Sequence, residues 1–454
     1  MAGIDLIHGV RADRPALLDD AGGDWVTYGQ LADLARRWAT RMSGPRGLVF
    51  LHPTNDVASV AALIGAFSAG HAVALFDPSL PPATRADLQE LYHPRWTVEP
   101  RFDSVRVCGD RMDLNPDLAV LMSTSGSTGS AKLVRLAATS ILANASAIGD
   151  VLDIGDTDVA VGHLPLHYSY GLSVLTSHLV RGARVRLTAM GLTDKRFWPA
   201  VREADVTHMP GVPFHHQLMI RLGLDRLRLD HLRTLTQAGG RLEPELRRRA
   251  HQFMHDTGGR FYVMYGQTEA SPRMTTLQHA DFPAAPDSVG TALPGCRIEI
   301  RDPDSTGHGE VVFSGPNVML GYAHSAADLA RADDLGGRLH TGDVGMLDDA
   351  GRLTLSGRVS RVRKLFGVRV NVDEVEAAVT SFGPGAVTLT GDRLTIHAVR
   401  TGRQADDEQF GRAVLAGLER QFAIPANRYA LRFIDELPRT RRGKIDYQAL
   451  EALS

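Results

Sequence analysis

The 454-residue chain has little lysine, little cysteine and no long hydrophobic run. Lysine accounts for only 4 of its 50 basic residues, and with 52 acidic residues the formal net charge is −2. This balance excludes a general polycation that binds nucleic acid or anionic lipid through charge alone. No stretch approaches about 18 uninterrupted apolar residues, so we expect no membrane span.

The two cysteines, Cys108 and Cys296, lie far apart and form no C-x-x-C pair. This disfavours a disulfide framework or a thiolate metal site and favours a reducing cytoplasm. The N-terminal segment also lacks the charged leader and apolar core of a signal peptide. None of the 18 histidines belongs to an H-E-x-x-H pattern. We therefore expect a cytoplasmic protein without a histidine metal centre.

Short apolar runs alternate with helices rich in small residues, which is typical of the α/β class. From about Ser288 the runs alternate polar and apolar residues and carry turn residues between them, which predicts an antiparallel β-rich section. The predicted strands are Gly47–Leu51, Ala72–Phe76, Leu118–Met122, Val159–His163, Arg184–Leu187, Cys296–Arg301, Gly309–Phe313 and Arg352–Ser356. The predicted helices are Val57–Ala69, Ala137–Leu152 and Leu172–Val180.

The charge balance changes near Gly357-Arg358. Residues 358–454 contain 16 basic and 12 acidic side chains, against 34 and 40 before them. We therefore predict a large acidic domain at 1–357 and a small basic domain at 358–454.

One segment has the composition of an anion-binding loop. Thr124–Lys132 (TSGSTGSAK) follows the predicted strand that ends at Met122. Its glycines permit tight turns, its amides and hydroxyls can face a phosphate, and Lys132 adds a compact charge. The spacing G-x-x-G-x-x-K is not that of a Walker A loop, which excludes a P-loop NTPase or a kinase.

This loop resembles the S/T-S-G-S/T-T-G-x-P-K signature of the adenylate-forming (AMP-binding) superfamily, with Ala131 in place of proline. Seven further segments resemble the family's motifs in order along nearly the whole chain. They are Thr27–Leu31, Ala69–Pro78, Ala238–Leu242, Tyr265–Glu269 (YGQTE), Thr341–Asp343 (TGD), Arg358–Glu376 and Pro438–Lys444 (PRTRRGK).

The resemblance implies an α/β fold with a large N-terminal domain, made of two α/β sheets and a β-barrel-like part, and a small mobile α+β C-terminal domain. The implied activity is that of an acid–thiol ligase. ATP and Mg²⁺ would convert an aryl or short to medium acyl acid into acyl-AMP and pyrophosphate, and the acyl group would pass to CoA or a phosphopantetheinyl carrier protein. Two alternatives stay open: transfer to an amine or another nitrogen nucleophile, and a non-catalytic adenylate-binding protein.

The resemblance also implies roles for individual residues. Lys444 and Thr268 would be catalytic, and Glu269, also catalytic, would bind Mg²⁺ together with Thr128. Lys444 would bridge the substrate carboxylate and the α-phosphate, as suits a flexible stem with one compact charge. The implied nucleotide-binding residues are Thr124, Ser125, Gly126, Ser127, Thr128, Gly129, Lys132, Gly239, Gly240, Arg241, Tyr265, Gly266, Gln267, Asp343 and Arg358.

The segment Pro165–Gly171 resembles the family's P-L-x-H-x-x-G region, although its histidine lies one position early. No aspartate stands where amino-acid-activating relatives bind an ammonium group, which disfavours α-amino acids. The predicted substrate pocket combines polar residues of this segment with apolar residues elsewhere. Its members are His167, Tyr168, Tyr170, Gly171, Met209, Pro213, Phe214 and Val263.

Ser360 stands where many relatives have a hinge aspartate or lysine, which weakens the prediction of thioester formation. No carrier-protein motif follows Lys444, so we expect any acyl carrier protein to be a separate chain. We expect a small-molecule carboxylic acid as the other partner, and neither nucleic acid nor a membrane. The particular acid, the pathway and the oligomeric state do not follow from these motifs.

Overall fold

The computed structural model describes residues 4–109, 112–123, 132–359, 362–365, 368–390, 393–400, 404–422, 429–439 and 445–453. These residues divide into two compact units. Unit 1 comprises Met1–Ile298 and Phe313–Leu339, and unit 2 comprises Glu299–Val312 and His340–Ser454.

The described helices of unit 1 pack on its sheets. They are α1 (Tyr28–Arg41), α2 (Val57–Ser68), α3 (Pro82–Tyr92), α4 (Ala138–Val151), α5 (Ser169–Leu179), α6 (Phe197–Glu203), α7 (Pro213–Leu222) and α8 (Pro244–Asp256). Helix α1 begins at a capping box in which Thr27 and Gln30 bond each other's backbone. Helix α2 is apolar on nearly every face and is buried along most of its length, as expected of a helix packed on both sides.

Two large sheets form the framework of unit 1. The strands are β1 (Pro15–Leu18), β2 (Val26–Thr27), β3 (Leu48–Leu51), β4 (Ala72–Leu75), β5 (Trp96–Glu99), β6 (Ser104–Val107), β7 (Leu118–Ser123), β8 (Leu133–Ala137), β9 (Val159–Gly162), β10 (Arg184–Leu187), β11 (His208–Gly211), β12 (Thr234–Gln237), β13 (Arg260–Gly266), β14 (Arg273–Leu277), β15 (Thr291–Ala292) and, after two strands of the next sheet, β18 (Gly321–Ala323). One sheet has the order β15-β14-β13-β12-β11-β9-β10-β1-β2, and the other has the order β18-β8-β7-β4-β3-β5-β6.

The centres of both sheets are parallel, and their strands are buried on both faces. Side chains of alternate strand residues therefore enter two different core clusters. In β11–β13, Met209, Leu235 and Val263 enter one cluster, whereas Met264 joins Tyr170 in the cluster on the other face.

Most residues of unit 2 follow those of unit 1 in the sequence. A four-stranded sheet in the order β16-β17-β19-β20 consists of β16 (Arg297–Arg301), β17 (Gly309–Ser314), β19 (Arg338–Leu347) and β20 (Leu353–Arg358). The remaining elements are β21 (Val362–Leu365), β22 (Val368–Asn371), α9 (Val372–Phe382), β23 (Gly385–Thr390), β24 (Arg393–Val399), α10 (Gln404–Phe422), β25 (Tyr429–Ile434) and α11 (Tyr447–Ala452). Strands β23, β24 and β25 form a sheet that packs on α9 and α10.

Glu376 joins three elements of unit 2. Its two carboxylate oxygens accept hydrogen bonds from the Val387 amide at 2.8 Å and from the Tyr447 hydroxyl at 2.5 Å. The motif glutamate therefore ties helix α9 to strand β23 and helix α11.

The expected strands and helices are confirmed, with their ends shifted by one or a few residues. The structure also agrees with the expected α/β class. Because the four-stranded sheet that ends at Arg358 belongs mostly to unit 2, the compact units divide before residue 357. The domains 1–357 and 358–454 stay a prediction. Within the described residues, no helix is both long and apolar enough to cross a membrane.

Candidate active site

Lys132, Tyr322 and Glu269 form a contiguous group in unit 1. The Lys132 ammonium lies 3.6 Å from the centre of the Tyr322 ring, a cation–π contact. The Tyr322 hydroxyl donates a hydrogen bond of 2.8 Å to Glu269 Oε1. Burial and the adjacent Glu269 carboxylate raise the pKa of the Tyr322 hydroxyl, so it remains a donor at neutral pH. A cation and a carboxylate thus contact the same phenol ring.

Strand pairing brings this group together. Strand β18 pairs antiparallel with β8, which places Tyr322 opposite Val134, close to the start of β8 where Lys132 lies. A backbone hydrogen bond of 2.9 Å from the Met319 amide to the Glu269 carbonyl holds the Glu269 segment beside the same strand. The positions of these side chains therefore depend on backbone contacts between three separate parts of the chain.

The Thr268 side chain contacts Ser169, the first residue of helix α5. Its hydroxyl lies 3.2 Å from the Ser169 hydroxyl. The first turn of helix α5 packs closely against the preceding backbone. A Cβ added at Gly171 would lie only 2.2 Å from the Pro165 carbonyl oxygen. Only glycine fits there, which explains a glycine at that motif position.

The turn after β12 faces the same helix. Gly239 has φ +81°, and a Cβ on it would lie 2.6 Å from the Tyr168 hydroxyl. The Gln237 side chain donates a hydrogen bond of 2.7 Å to the Gly240 carbonyl and stabilises the turn. Pro213, the first residue of α7, lies beside Gly240. Because Gly239 and Gly240 have no side chains, backbone atoms of the turn lie directly next to Tyr168.

We expect Gly239→Ala to raise the KM for the acid substrate about tenfold, because the added methyl would displace the Tyr168 hydroxyl. The measurement is pyrophosphate release as a function of acid concentration. Gly258→Ala is the matched control, since Gly258 has φ +73° and an added methyl group would meet no atom within 4 Å. It should lose about 1 kcal/mol of stability from backbone strain and keep its KM. Equal KM values for the two variants would contradict a role for this turn in substrate binding.

The other predicted pocket residues are dispersed. His167 Nε2 lies 3.7 Å from the Asp77 carboxylate, and Phe214 is 47% exposed. Met209 and Val263 are buried in the core cluster on the face of the sheet opposite Tyr170. They therefore do not line the same space as Tyr170, because their strand positions point the other way.

The remaining predicted nucleotide residues of unit 1 lie at or near the end of β13 and in the turn after β12. Tyr265 is half-buried and lies opposite Thr275 of β14. Gln267 accepts, through its carbonyl, a hydrogen bond of 2.9 Å from the Ala270 amide. Gly266 and Arg241 are exposed.

Asp343 and Arg358 lie on neighbouring strands of unit 2 and face each other. They are paired in the β19–β20 register, and Arg358 Nε lies 3.1 Å from Asp343 Oδ1. Asp343 is 6% exposed, and its amide bonds the Thr341 hydroxyl at 3.0 Å. The Arg358 amide donates to the Asp373 carboxylate at 2.9 Å. These two predicted nucleotide-binding residues therefore form an ion pair with each other.

Several predicted residues lie outside the described part of the chain. They are the loop residues Thr124, Ser125, Gly126, Ser127, Thr128 and Gly129, the hinge residue Ser360, and Lys444.

Tyr322, Ser169 and Thr236 are not among the predicted site residues. Tyr322 belongs to the pair Gly321-Tyr322, which also fits the family's pattern in the β-rich section, but nothing in the local sequence connects it with Glu269. The Thr236 hydroxyl lies 2.8 Å from the Tyr170 hydroxyl and directs that ring. The sequence offers one signal for Thr236: it lies on a fully buried strand, and a buried hydroxyl needs a hydrogen-bond partner.

Comparison with known proteins identifies the family. The model of the family described as AMP-binding enzyme matches residues 93–323. The chain belongs to the AMP-binding enzyme family. This confirms the resemblance to adenylate-forming enzymes that its motifs indicated.

Two curated relatives and one solved structure show the extent of the likeness. The chain is 27% identical over 95% of its length to an isonitrile lipopeptide synthase of Streptomyces coeruleorubidus, covering 32% of that protein. It is 28% identical over 57% of its length to a 2-succinylbenzoate–CoA ligase of Staphylococcus epidermidis, covering 52% of it. The chain thus spans about a third and about half of these relatives. The fold matches that of o-succinylbenzoate coenzyme A synthetase from Bacillus subtilis with a TM-score of 0.76, at 22% identity and 96% coverage of both chains.

Proposed function

We propose that this AMP-binding family member activates a small carboxylic acid with ATP, forming acyl-AMP and pyrophosphate, and transfers the acyl group to a thiol of CoA or of a separate carrier protein. The observation that carries the proposal is the contact of Lys132 and Glu269 with one tyrosine, Tyr322. Attack of a carboxylate on the α-phosphorus requires a cation for the phosphate oxygens and a hard oxygen ligand for a metal ion. Both groups contact the same tyrosine here.

Each side chain has a defined task in this proposal. Lys132 would offset the negative charge of the phosphates as a point charge. Tyr322 orients Glu269 by donating to one carboxylate oxygen, which leaves the other oxygen for a metal. The Thr268 hydroxyl, positioned by Ser169, would donate to a phosphate oxygen. Gly239 and Gly240 let the backbone approach the bound acyl-adenylate.

Magnesium fits this donor set. Within the described residues, no group of three or more histidine, cysteine or acidic side chains could form a metal cage. Mg²⁺ commonly takes only one or two carboxylates and completes its shell with substrate phosphates and water, so Glu269, assisted by Thr128, is a sufficient protein ligand. When bound, the ion would reduce the repulsion between the phosphates and the incoming carboxylate. The B. subtilis relative was solved in complex with ATP and magnesium ion.

Asp343 and Arg358 are proposed as ribose ligands. A carboxylate has about four lone-pair sites, so Asp343 can accept from hydroxyls while it keeps the bond to Arg358 Nε. The acceptor in the second step is proposed to be a thiol, supported by relatives named as a CoA ligase and a lipopeptide synthase. The cytoplasmic location stays a prediction.

A pyrophosphate-release screen with aryl and aliphatic acids tests the proposal. We expect release that depends on the acid, ATP and Mg²⁺, and a thioester product when CoA or a phosphopantetheinyl carrier protein is added. Parallel reactions with hydroxylamine report acyl-adenylate without any thiol. Absence of release with every acid would refute acid activation, and release with hydroxamate but no thioester would refute the thiol acceptor in favour of another nucleophile.

A further inference from the structure

Glu269 lies in a short 3-10 helical turn, Thr268–Ala270, between strands β13 and β14. So short a turn cannot satisfy its own last carbonyl groups, which need partners from elsewhere in the chain. Ser271, the residue after the turn, is buried and has φ +64°. A left-handed backbone at a residue other than glycine persists only where its surroundings hold it. The position of the Glu269 carboxylate therefore depends on what packs against this turn.

Asn317 and Met319 supply these partners from a neighbouring segment. The Asn317 side-chain nitrogen donates hydrogen bonds of 2.6 Å to the Ala270 carbonyl and 2.9 Å to the Arg273 carbonyl. The Met319 amide donates a hydrogen bond of 2.9 Å to the Glu269 carbonyl. Two consecutive carbonyls of the turn are thus bound. Asn317 is only 1% exposed, so solvent does not compete for its hydrogen bonds.

The contacts of Asn317 determine how its amide is oriented. The two carbonyls beside it can only accept, so the nitrogen faces them and Oδ1 faces away. The Cys296 thiol donates to this Oδ1 at 3.3 Å, and the Ser140 hydroxyl of α4 donates to the adjacent Val318 carbonyl at 3.2 Å. Burial raises the pKa of the Cys296 thiol to about 11, so it stays a donor at neutral pH. The Asn317 side chain therefore has one defined orientation.

The same segment leads directly into strand β18, which carries Tyr322. The Tyr322 hydroxyl donates to the Glu269 carboxylate at 2.8 Å. Residues 317–322 therefore hold Glu269 at two places, its main chain and its carboxylate. Loss of the Asn317 contact would let the main chain of the turn move relative to the tyrosine that orients the carboxylate.

A second buried asparagine provides a comparison. Asn144 of α4 is also 1% exposed, and it bonds the Arg273 main chain twice. Its Nδ2 donates to the Arg273 carbonyl at 2.8 Å, and its Oδ1 accepts from the Arg273 amide at 3.2 Å. Among the described residues, it makes no hydrogen bond with Glu269 or Ala270. The two asparagines thus share the Arg273 carbonyl, and of the two only Asn317 also holds the turn with Glu269.

We propose that Asn317 is a positioning residue for adenylation: it fixes the turn that carries Glu269, so that the carboxylate oxygen not bonded to Tyr322 stays available to Mg²⁺. This role rests on the proposed function and adds a residue to the same site. Asn317 acts through the main chain of Ala270 and does not bind the ion itself, because its nitrogen donates to two carbonyls and its Oδ1 accepts from Cys296. Replacement of residues that orient a metal ligand typically lowers metal affinity about 10- to 100-fold.

Calorimetric titration with α,β-methylene-ATP, an analogue that cannot release pyrophosphate, tests this role without catalysis. Each protein is titrated once with excess MgCl₂ and once with EDTA, and the ratio of the two Kd values gives the gain in affinity due to the metal. We expect Mg²⁺ to strengthen binding to the wild type, and Asn317→Ala to lower that gain about tenfold or more. Asn144→Ala is the matched control. It should lower the midpoint of thermal unfolding by a similar amount and change the gain by less than about twofold, because it does not hold the Glu269 turn.

The pyrophosphate-release assay provides a second measurement. Asn317→Ala should raise the Mg²⁺ concentration needed for half-maximal activity and change the KM for the acid by less than about twofold, because it disturbs metal binding and not the binding of the acid. A merely structural role would lower stability in both asparagine variants and leave the Mg²⁺ requirement of both unchanged.

Gly315→Ala is a milder variant that displaces Asn317 without removing it. The added Cβ would lie 2.7 Å from Cys296 Sγ and 2.8 Å from Asn317 Oδ1, so these side chains must shift. We expect a loss of about threefold in the gain from Mg²⁺. Gly191→Ala is its control, because a Cβ there would meet no atom within 4 Å, and it should keep the wild-type gain. If Asn317→Ala does not fold, this glycine pair decides.

The outcomes separate the positioning role from the proposed function. An equal gain from Mg²⁺ in both asparagine variants, or in both glycine variants where Asn317→Ala does not fold, would overturn the positioning role and leave acid activation standing. Equal binding of the analogue to the wild type with and without Mg²⁺ would overturn it as well. No binding to the wild type, together with no pyrophosphate release from any acid, would refute the proposed function and the positioning role with it.

Discussion

Replacement of Lys444 by alanine is expected to lower the rate of acyl-adenylate formation about 10²- to 10³-fold, the size of effect seen when one preorganised donor to a developing charge is removed. The expectation comes from the family resemblance of the PRTRRGK segment, in which this lysine bridges the substrate carboxylate and the α-phosphate. Lysine suits this task because its long stem places one compact charge between two oxyanions. Pyrophosphate release under saturating ATP measures the effect.

The second half-reaction provides the internal control for Lys444. Transfer from preformed acyl-AMP to a thiol no longer requires the α-phosphate to be attacked by a carboxylate, so Lys444→Ala should leave that rate largely intact. Lys195→Ala is the matched substitution, because Lys195 lies in no motif and should change neither rate. Equal loss of both half-reactions in Lys444→Ala would contradict the assigned role.

Glu269→Gln is expected to lower kcat/KM for pyrophosphate release by about 10²-fold or more and to raise the Mg²⁺ concentration needed for half-maximal activity. Glutamine keeps the size and one acceptor oxygen, so the Tyr322 hydroxyl can still donate to it, and the change removes chiefly the negative charge. A titration of activity with MgCl₂ at fixed ATP measures the shift.

Tyr322→Phe separates the charge of Glu269 from its orientation. The substitution removes the hydrogen bond of 2.8 Å and keeps both the carboxylate and the aromatic face below Lys132. A loss of about tenfold or less is expected, since a hydrogen bond to a charged group is worth about 1.5–3 kcal/mol and water can replace part of it. A larger loss in Tyr322→Phe than in Glu269→Gln, or an unchanged Mg²⁺ requirement in Glu269→Gln, would show that the carboxylate is not the metal ligand.

Local sequence patterns were sufficient to locate most secondary structure in the two large sheets. Strand β10 was predicted with its observed ends, and β3, β4 and β9 to within one residue at each end. These strands are short apolar runs bounded by turn residues, which is a signal carried by consecutive residues. The start of helix α5 was missed, because Ser169 and Tyr170 in a motif with glycine resemble a loop rather than a first helical turn.

The structure places residues of the predicted substrate pocket on different faces of one sheet. Met209 and Val263 are apolar residues on strands beside the site, yet they face the core on its far side. A strand buried on both faces shows no alternation of polarity, so composition does not reveal which of its residues point towards Tyr170.

The sequence by itself determined the family and the α/β class and supplied the predicted reactive groups, because a motif is a set of neighbouring residues whose spacing along the chain is fixed by covalent bonds. Lys132 and Lys444 are two of only 4 lysines among the 50 basic residues. Only the tertiary structure decides which of these side chains are in contact. Lys132 contacts Tyr322 because β8 pairs with β18, and Arg273 of β14 lies 3.4 Å from the Ser173 hydroxyl of α5, 100 positions away in the chain. Such contacts join distant segments through backbone pairing and burial, which depend on the whole fold.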